Sequence, residues 1–181
     1  MLLTACSSSA VRDQPRQYLD SQTAATITIV DKPLVFARER PELAANVRDY
    51  ATVAVAAVNR SGKVSYFLFT YLWSTVDTRA ALNQSLVDKA LVLAADDRLI
   101  SLQTAGLTAH DAGMGFSPHH PNGVPAVELV AATDLATLRY IALARRLSVR
   151  FNDDATENPY ELWKDQRASL LAFVRQLGGS Q

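Results

Sequence analysis

The chain has 181 residues, enough for one domain that buries about 70% of its unfolded surface without disulfide staples. Hydrophobic residues make up 49% and charged residues 20%, which excludes a wholly disordered chain. Lysine plus arginine and aspartate plus glutamate balance at 18 each, so the basic excess of a nucleic-acid binder is missing and none is expected as a partner.

In chain order the first feature is "MLLTACSSS", which holds the only cysteine. Leu3, Thr4 and Ala5 before Cys6 resemble the bacterial lipobox, in which an apolar residue and two small ones precede a cysteine that is lipidated and becomes the mature N-terminus. A secretory signal begins with a basic region and an apolar run of about 7–15 residues. Only "MLLTA" precedes Cys6, so residues 1–22 are read as a truncated signal end, lipobox and flexible tether, with an in-frame extension expected upstream in the gene. The polar "SSSAVRDQPRQ" suits a tether. Each buried methylene adds about 0.8 kcal/mol of membrane affinity, so two or more acyl chains on Cys6 would anchor the protein stably. Ser7 is not an acidic retention residue, and the resemblance therefore implies a periplasm-facing, outer-membrane destination. No later run approaches the roughly 20 apolar residues of a transmembrane helix.

Residues 23–181 are expected to form one globular domain. "ATITIV" alternates, with Ile27 and Ile29 on one face and Thr26 and Thr28 on the other, the period of a half-buried strand. "PLVFAR" continues as a second strand, and "ERPELAANVRDY" breaks the pattern as a loop or helical turn. Two apolar runs then flank "NRSG", where Gly62 can take the positive φ of a short turn, so a long hairpin is predicted. Phe67, Phe69, Tyr71 and Trp73 alternate with Tyr66, Leu68, Thr70 and Leu72, leaving both faces of the second strand apolar. Such a strand is central and covered on both sides, by helices and by a second layer of sheet or loops.

"KALVLAADDRLISLQT" predicts a second hairpin turning at Asp96 and Asp97. "AGLTAHDAGMGFSPHHPNGVP" is rich in glycine and proline and has no period, so a long exposed loop is expected. "AVELVAA" supplies a strand, a helix capped by Asp134 or Thr133 follows, and "LSVRF" returns to strand. A last helix is predicted from about Pro159 through Trp163, Leu170, Phe173, Val174 and Leu177 to Gly178 and Gly179. Strands first and helices last give an α+β fold: an antiparallel β-sheet of long hairpins with one or two C-terminal helices packed on one face. "PLVFARERPELAANVRDY", "VNRSGK" and the strand ending in "WSTVD" resemble lipoproteins of the Gram-negative envelope over most of the mature chain. That resemblance implies the same address as Cys6 and implies no chemistry.

All three histidines, His110, His119 and His120, fall in the Gly/Pro-rich loop beside Asp111, a set of donors suited to zinc, copper or nickel, although the spacing matches no known metal motif. Trp73 and Asp77 mark a candidate binding surface at the end of the aromatic strand, and Asp77 with Glu39 or Asp49 offers an acid and base pair. No serine sits in a Gly-x-Ser-x-Gly elbow, Cys6 lies far from any positioned base, and "GMGF" lacks phosphate-loop spacing. The reading is a non-enzymatic membrane-anchored lipoprotein with a binding or structural domain, no cofactor, and an envelope protein as possible partner. The alternative is a periplasmic enzyme, or a metal- or ligand-binding protein that uses the 106–125 loop.

Overall fold

Ser61 and Gly62 both take positive φ (51° and 88°), the pairing a two-residue hairpin turn requires, and the Asn59 side chain accepts from the Gly62 N–H at 2.9 Å. That turn joins β4 (Arg48–Arg60) to β5 (Lys63–Ser74) in a ladder from Arg60↔Lys63 to Asp49↔Ser74. The computed structural model describes residues 13–76, 90–104, 108–151 and 158–179. Its remaining strands are β1 (Arg16–Leu19), β2 (Thr26–Ile29), β3 (Leu34–Glu39), β6 (Leu91–Ala95), β7 (Arg98–Leu102), β8 (Val127–Thr133), β9 (Leu147–Phe151) and β10 (Tyr160–Lys164). The helices are α1 (Leu135–Leu143) and α2 (Arg167–Gly178).

All strand pairs are antiparallel, as expected of an α+β fold. The path runs β1-β2-β4-β3-β10-β9-β6-β7, with β5 on the other edge of β4 and β8 beyond β5. β2 and β3 share one edge of β4: β3 pairs residues 48–53 and β2 pairs residues 56–59. Cα atoms of β7 and β8 approach within 8 Å, so the sheet curls back on itself.

The register decides what lies inside. Phe36, Ala51 and Leu72 stand opposite one another, as do Leu93, Val149 and Tyr160, and all are buried. Leu138 and Ile141 of α1 and Leu170 and Phe173 of α2 belong to the same core. α1 starts where the Asp134 carboxylate accepts from the Thr137 N–H at 2.8 Å, which satisfies an otherwise orphan helix donor. The β6–β7 turn at Asp96 and Asp97 is present, and the Asp96 carboxylate accepts from the N–H groups of Arg145 and Arg146 just past α1.

Three expectations are corrected. The final helix begins at Arg167, since 160–164 is strand β10: the open edges of β3 and β9 take its backbone hydrogen bonds, and Tyr160 packs inward. The tether does not extend to residue 22, because β1 pairs with β2 and Tyr18 packs on the core. The Gly/Pro-rich loop is not simply exposed. Ala109, Ala112, Met114 and Pro118 are buried, and the loop packs over Tyr71 as part of the second layer that a two-sided β5 needs.

Candidate functional site

The loop is pinned by polar contacts that engage His119 and Asp111 and leave His110 and His120 exposed. Buried Asp20 accepts from the Gly115 N–H at 2.6 Å and the Gln22 N–H at 2.9 Å, and these bonds hold its pKa below the usual carboxylate range. The Tyr71 hydroxyl donates to the Pro118 carbonyl at 2.5 Å, and burial pushes its pKa well above the usual range. His119, at φ 57°, donates from Nε2 to the Val30 carbonyl at 2.6 Å. Burial first, then the nearby Arg16 guanidinium, lower its pKa, and the Val30 bond offsets only part of this. His120 is exposed, edge-on to the Tyr71 ring at 5.3 Å. Asp111 accepts from the Thr108 N–H and hydroxyl at 2.9 and 2.6 Å, and exposed His110 lies on the turn it closes.

The set proposed for a metal, His110, Asp111, His119 and His120, is therefore not brought to one point. Among the described residues no three His, Cys, Asp or Glu side chains gather in a metal-holding arrangement. Cys6 and Asp77 lie outside the described residues, so Asp77 cannot be placed beside Trp73, Glu39 or Asp49.

Trp73 is half-buried on the outer face of β5 and stacks on Tyr50 of β4, ring centroids 4.2 Å apart and 14° from parallel. Its indole N–H donates to Thr52 Oγ1 at 3.1 Å. Two residues along the same face of β4, the Arg48 guanidinium lies 4.6 Å from the ring centre of Trp163 on β10, a cation–π contact. Trp163 sits at the irregularity in the β3–β10 register and is 50% exposed. Arg48 also donates to Glu39 at 3.0 Å, and Glu39 first, with the Tyr50 hydroxyl, raises its pKa. Trp73, Tyr50, Arg48 and Trp163 thus form a ladder of residues from β5, β4 and β10 that reaches over β3.

Beside that ladder opens a cleft of about 520 Å³ lined by Arg38, Glu39, Arg48, Glu161, Pro159 and Trp163. Its floor is fixed from the other face of β4. Asp49, 3% exposed, accepts from Arg40 at 2.6 Å and Arg38 at 3.3 Å, and Arg40 also pairs with Glu42. Burial raises the Asp49 pKa, but the bonds from Arg40, Ser74 and Arg38 outweigh it and the net shift is downward. Arg38 also covers the Tyr160 ring at 4.5 Å. Sequence reasoning singled out Trp73 but missed Tyr50, Arg48 and Trp163. Counting back from the Ser61–Gly62 turn along both strands places Tyr50 opposite Trp73, whereas nothing local links Arg48 to Trp163. Comparison of the chain with family models, curated proteins and solved structures gives no match.

Proposed function

We propose that the protein is a non-enzymatic lipoprotein of the bacterial envelope, anchored at Cys6, whose domain binds a neutral glycan strand along the Trp73–Tyr50–Arg48–Trp163 face. One observation carries the binding site: both tryptophans of the chain lie part-exposed on the same outer face, linked by a stacked tyrosine and an arginine. One face of each indole is covered, by Tyr50 on Trp73 and by Arg48 on Trp163, and the part-exposed remainder is apolar surface that the C–H face of a sugar ring can match. Hydroxyls at the sugar edge need both donors and acceptors, which Arg48 and Arg38 on one side and Glu39 and Glu161 on the other supply. Two cations against two carboxylates leave the cleft balanced, which suits an uncharged ligand. A volume of about 520 Å³ falls in the range of small-ligand sites.

The test uses the fact that the only two tryptophans lie on this face, so intrinsic indole fluorescence reports on it alone. Titration with chito- and cello-oligosaccharides is expected to give a saturable change in emission. Trp163→Ala should abolish binding without lowering the melting temperature by more than a few degrees. No saturable change with either glycan series would reject the glycan reading, and an unacylated Cys6 on protein made from the complete gene in its own host would reject the anchor.

A further inference from the structure

α1 and α2 pack side by side and leave a groove of about 570 Å³ along their outer face. Its apolar lining is Leu135, Leu143, Leu171 and Val174, and its polar lining is Arg139 and Arg175, with no carboxylate. Leu143 is 61% exposed. A neighbouring depression at the C-terminal end of α1 adds Arg145. Residues 135–146 and 167–178 carry five arginines (139, 145, 146, 167 and 175) and no aspartate or glutamate, in a chain whose charges otherwise balance. Asp165 neutralises Arg167 at 2.5 Å and Asp97 lies 3.3 Å from Arg146. Arg139, Arg145 and Arg175 make no ion pair among the described residues. The cap residue Asp134 spends its carboxylate on Thr137.

We propose that this face docks on an anionic phospholipid bilayer, with Leu143 at the boundary of the acyl chains and Arg139, Arg145 and Arg175 on lipid phosphates. An apolar strip rimmed by arginine matches the two layers such a surface presents together. The other occupants fit less well. A second copy across a two-fold axis would set this patch against itself, arginine against arginine. Helices of 9 and 12 residues are only about 14 and 18 Å long, a short cradle for a third helix.

Asp13, just before β1, is tied to the same region. Lys32 bonds Asp13 through its ammonium at 2.5 Å, and its backbone N–H donates to Ser169 Oγ at 3.0 Å, at the start of α2. Six residues lie between Cys6 and Asp13, and the seven steps reach about 25 Å at most, so an anchored Cys6 would hold α2 close to the membrane. The docking face does not depend on that anchor.

The test is co-sedimentation of the full chain, made with Cys6→Ser so that it carries no lipid, with vesicles of 70:30 phosphatidylcholine:phosphatidylglycerol and with pure phosphatidylcholine. Expected is binding to the anionic vesicles only, weakening as salt rises. A juxtamembrane cation contributes about fivefold in affinity, so R139Q/R145Q/R175Q should lose roughly a hundredfold. Leu143→Ser should weaken binding with the charges intact. Equal binding to neutral vesicles, or unchanged binding by the triple variant, overturns the proposal. So does a concentration-dependent dimer that Leu143→Ser dissociates, which would make a second copy the occupant.

Discussion

Replacing Asp49 by asparagine removes one negative charge from between two guanidiniums and changes little in shape. Removing one partner of a fully buried ion pair costs about 3–5 kcal/mol, because the other charge is left in low dielectric. Asp49 is buried, but the side chains of Arg38 and Arg40 are 15% and 32% exposed, and Arg40 keeps Glu42. Partial resolvation of the arginines therefore brings the expected loss to about 2 kcal/mol. For a domain of this size that is a fall in melting temperature of about 4–8 °C, measured by circular dichroism at pH 7. The pH dependence has a fixed sign. The folded pKa of Asp49 lies below the ordinary carboxylate value near 3.9, so its contribution is complete above that value and is lost as pH falls through the depressed folded one. The gap between wild type and Asp49→Asn should be constant from pH 5 to 8 and narrow as pH falls below the ordinary carboxylate value near 3.9. A variant within about 0.5 kcal/mol of wild type at pH 7, or a gap that widens as pH falls below about 3.9, would refute the view that this carboxylate fixes the cleft floor.

Two further outcomes concern the loop. His119 is held neutral with a lowered pKa, so below about 6.5 the unfolded chain takes up a proton that the fold resists, and stability should decline with acidification. His119→Gln should flatten that decline in melts from pH 7.5 to 5, and an unchanged slope would count against it. Met114→Ala should cost about 2–4 kcal/mol in urea unfolding if the loop is a core layer, while exposed His110→Ala should stay within about 0.5.

The hairpins were legible because their information is local. Gly62 announced the β4–β5 turn, and the alternating apolar runs on either side set its register. The fate of 158–164 was not local. Tyr160, Trp163 and Leu170 fit a helical spacing, and only the free edges of β3 and β9, distant in sequence, make this segment a strand. The loop misled for a related reason: absence of period reads as exposure, yet the two-sided apolar pattern of β5 already required a cover, and small residues such as Ala109 and Ala112 fit beneath the turns of a Gly-rich segment. Trp73 was legible as an end-of-strand aromatic. Its continuation to Trp163 is a product of strand order, which sequence patterning does not encode.

The start of α2 and the Arg48–Glu39 pair of the aromatic cleft lie at opposite ends of one strand. β3 runs from Leu34, just after Lys32 and the start of α2, to Glu39 at the aromatic cleft. Six residues span about 17 Å. β10 is antiparallel to it, so Pro159 lies at the cleft end, whereas Lys164 leads through the Asp165–Arg167 turn into α2. Asp13 and the start of α2 thus share one end of β3 and Arg48 pairs with Glu39 at the other, while the backbone of Trp163 lies opposite Val35 and Phe36, nearer the α2 end, and its ring reaches the Arg48 guanidinium. A domain seated on a bilayer by its helices keeps its glycan face open only if the tryptophan ladder stays clear of the lipid. Both contacts can then be made at once, and the effective concentration set by the first would strengthen the second without any new bond. Full chain bound to anionic vesicles should therefore retain the glycan-induced fluorescence change seen in solution. Loss of that change on vesicle binding would show that the two surfaces compete.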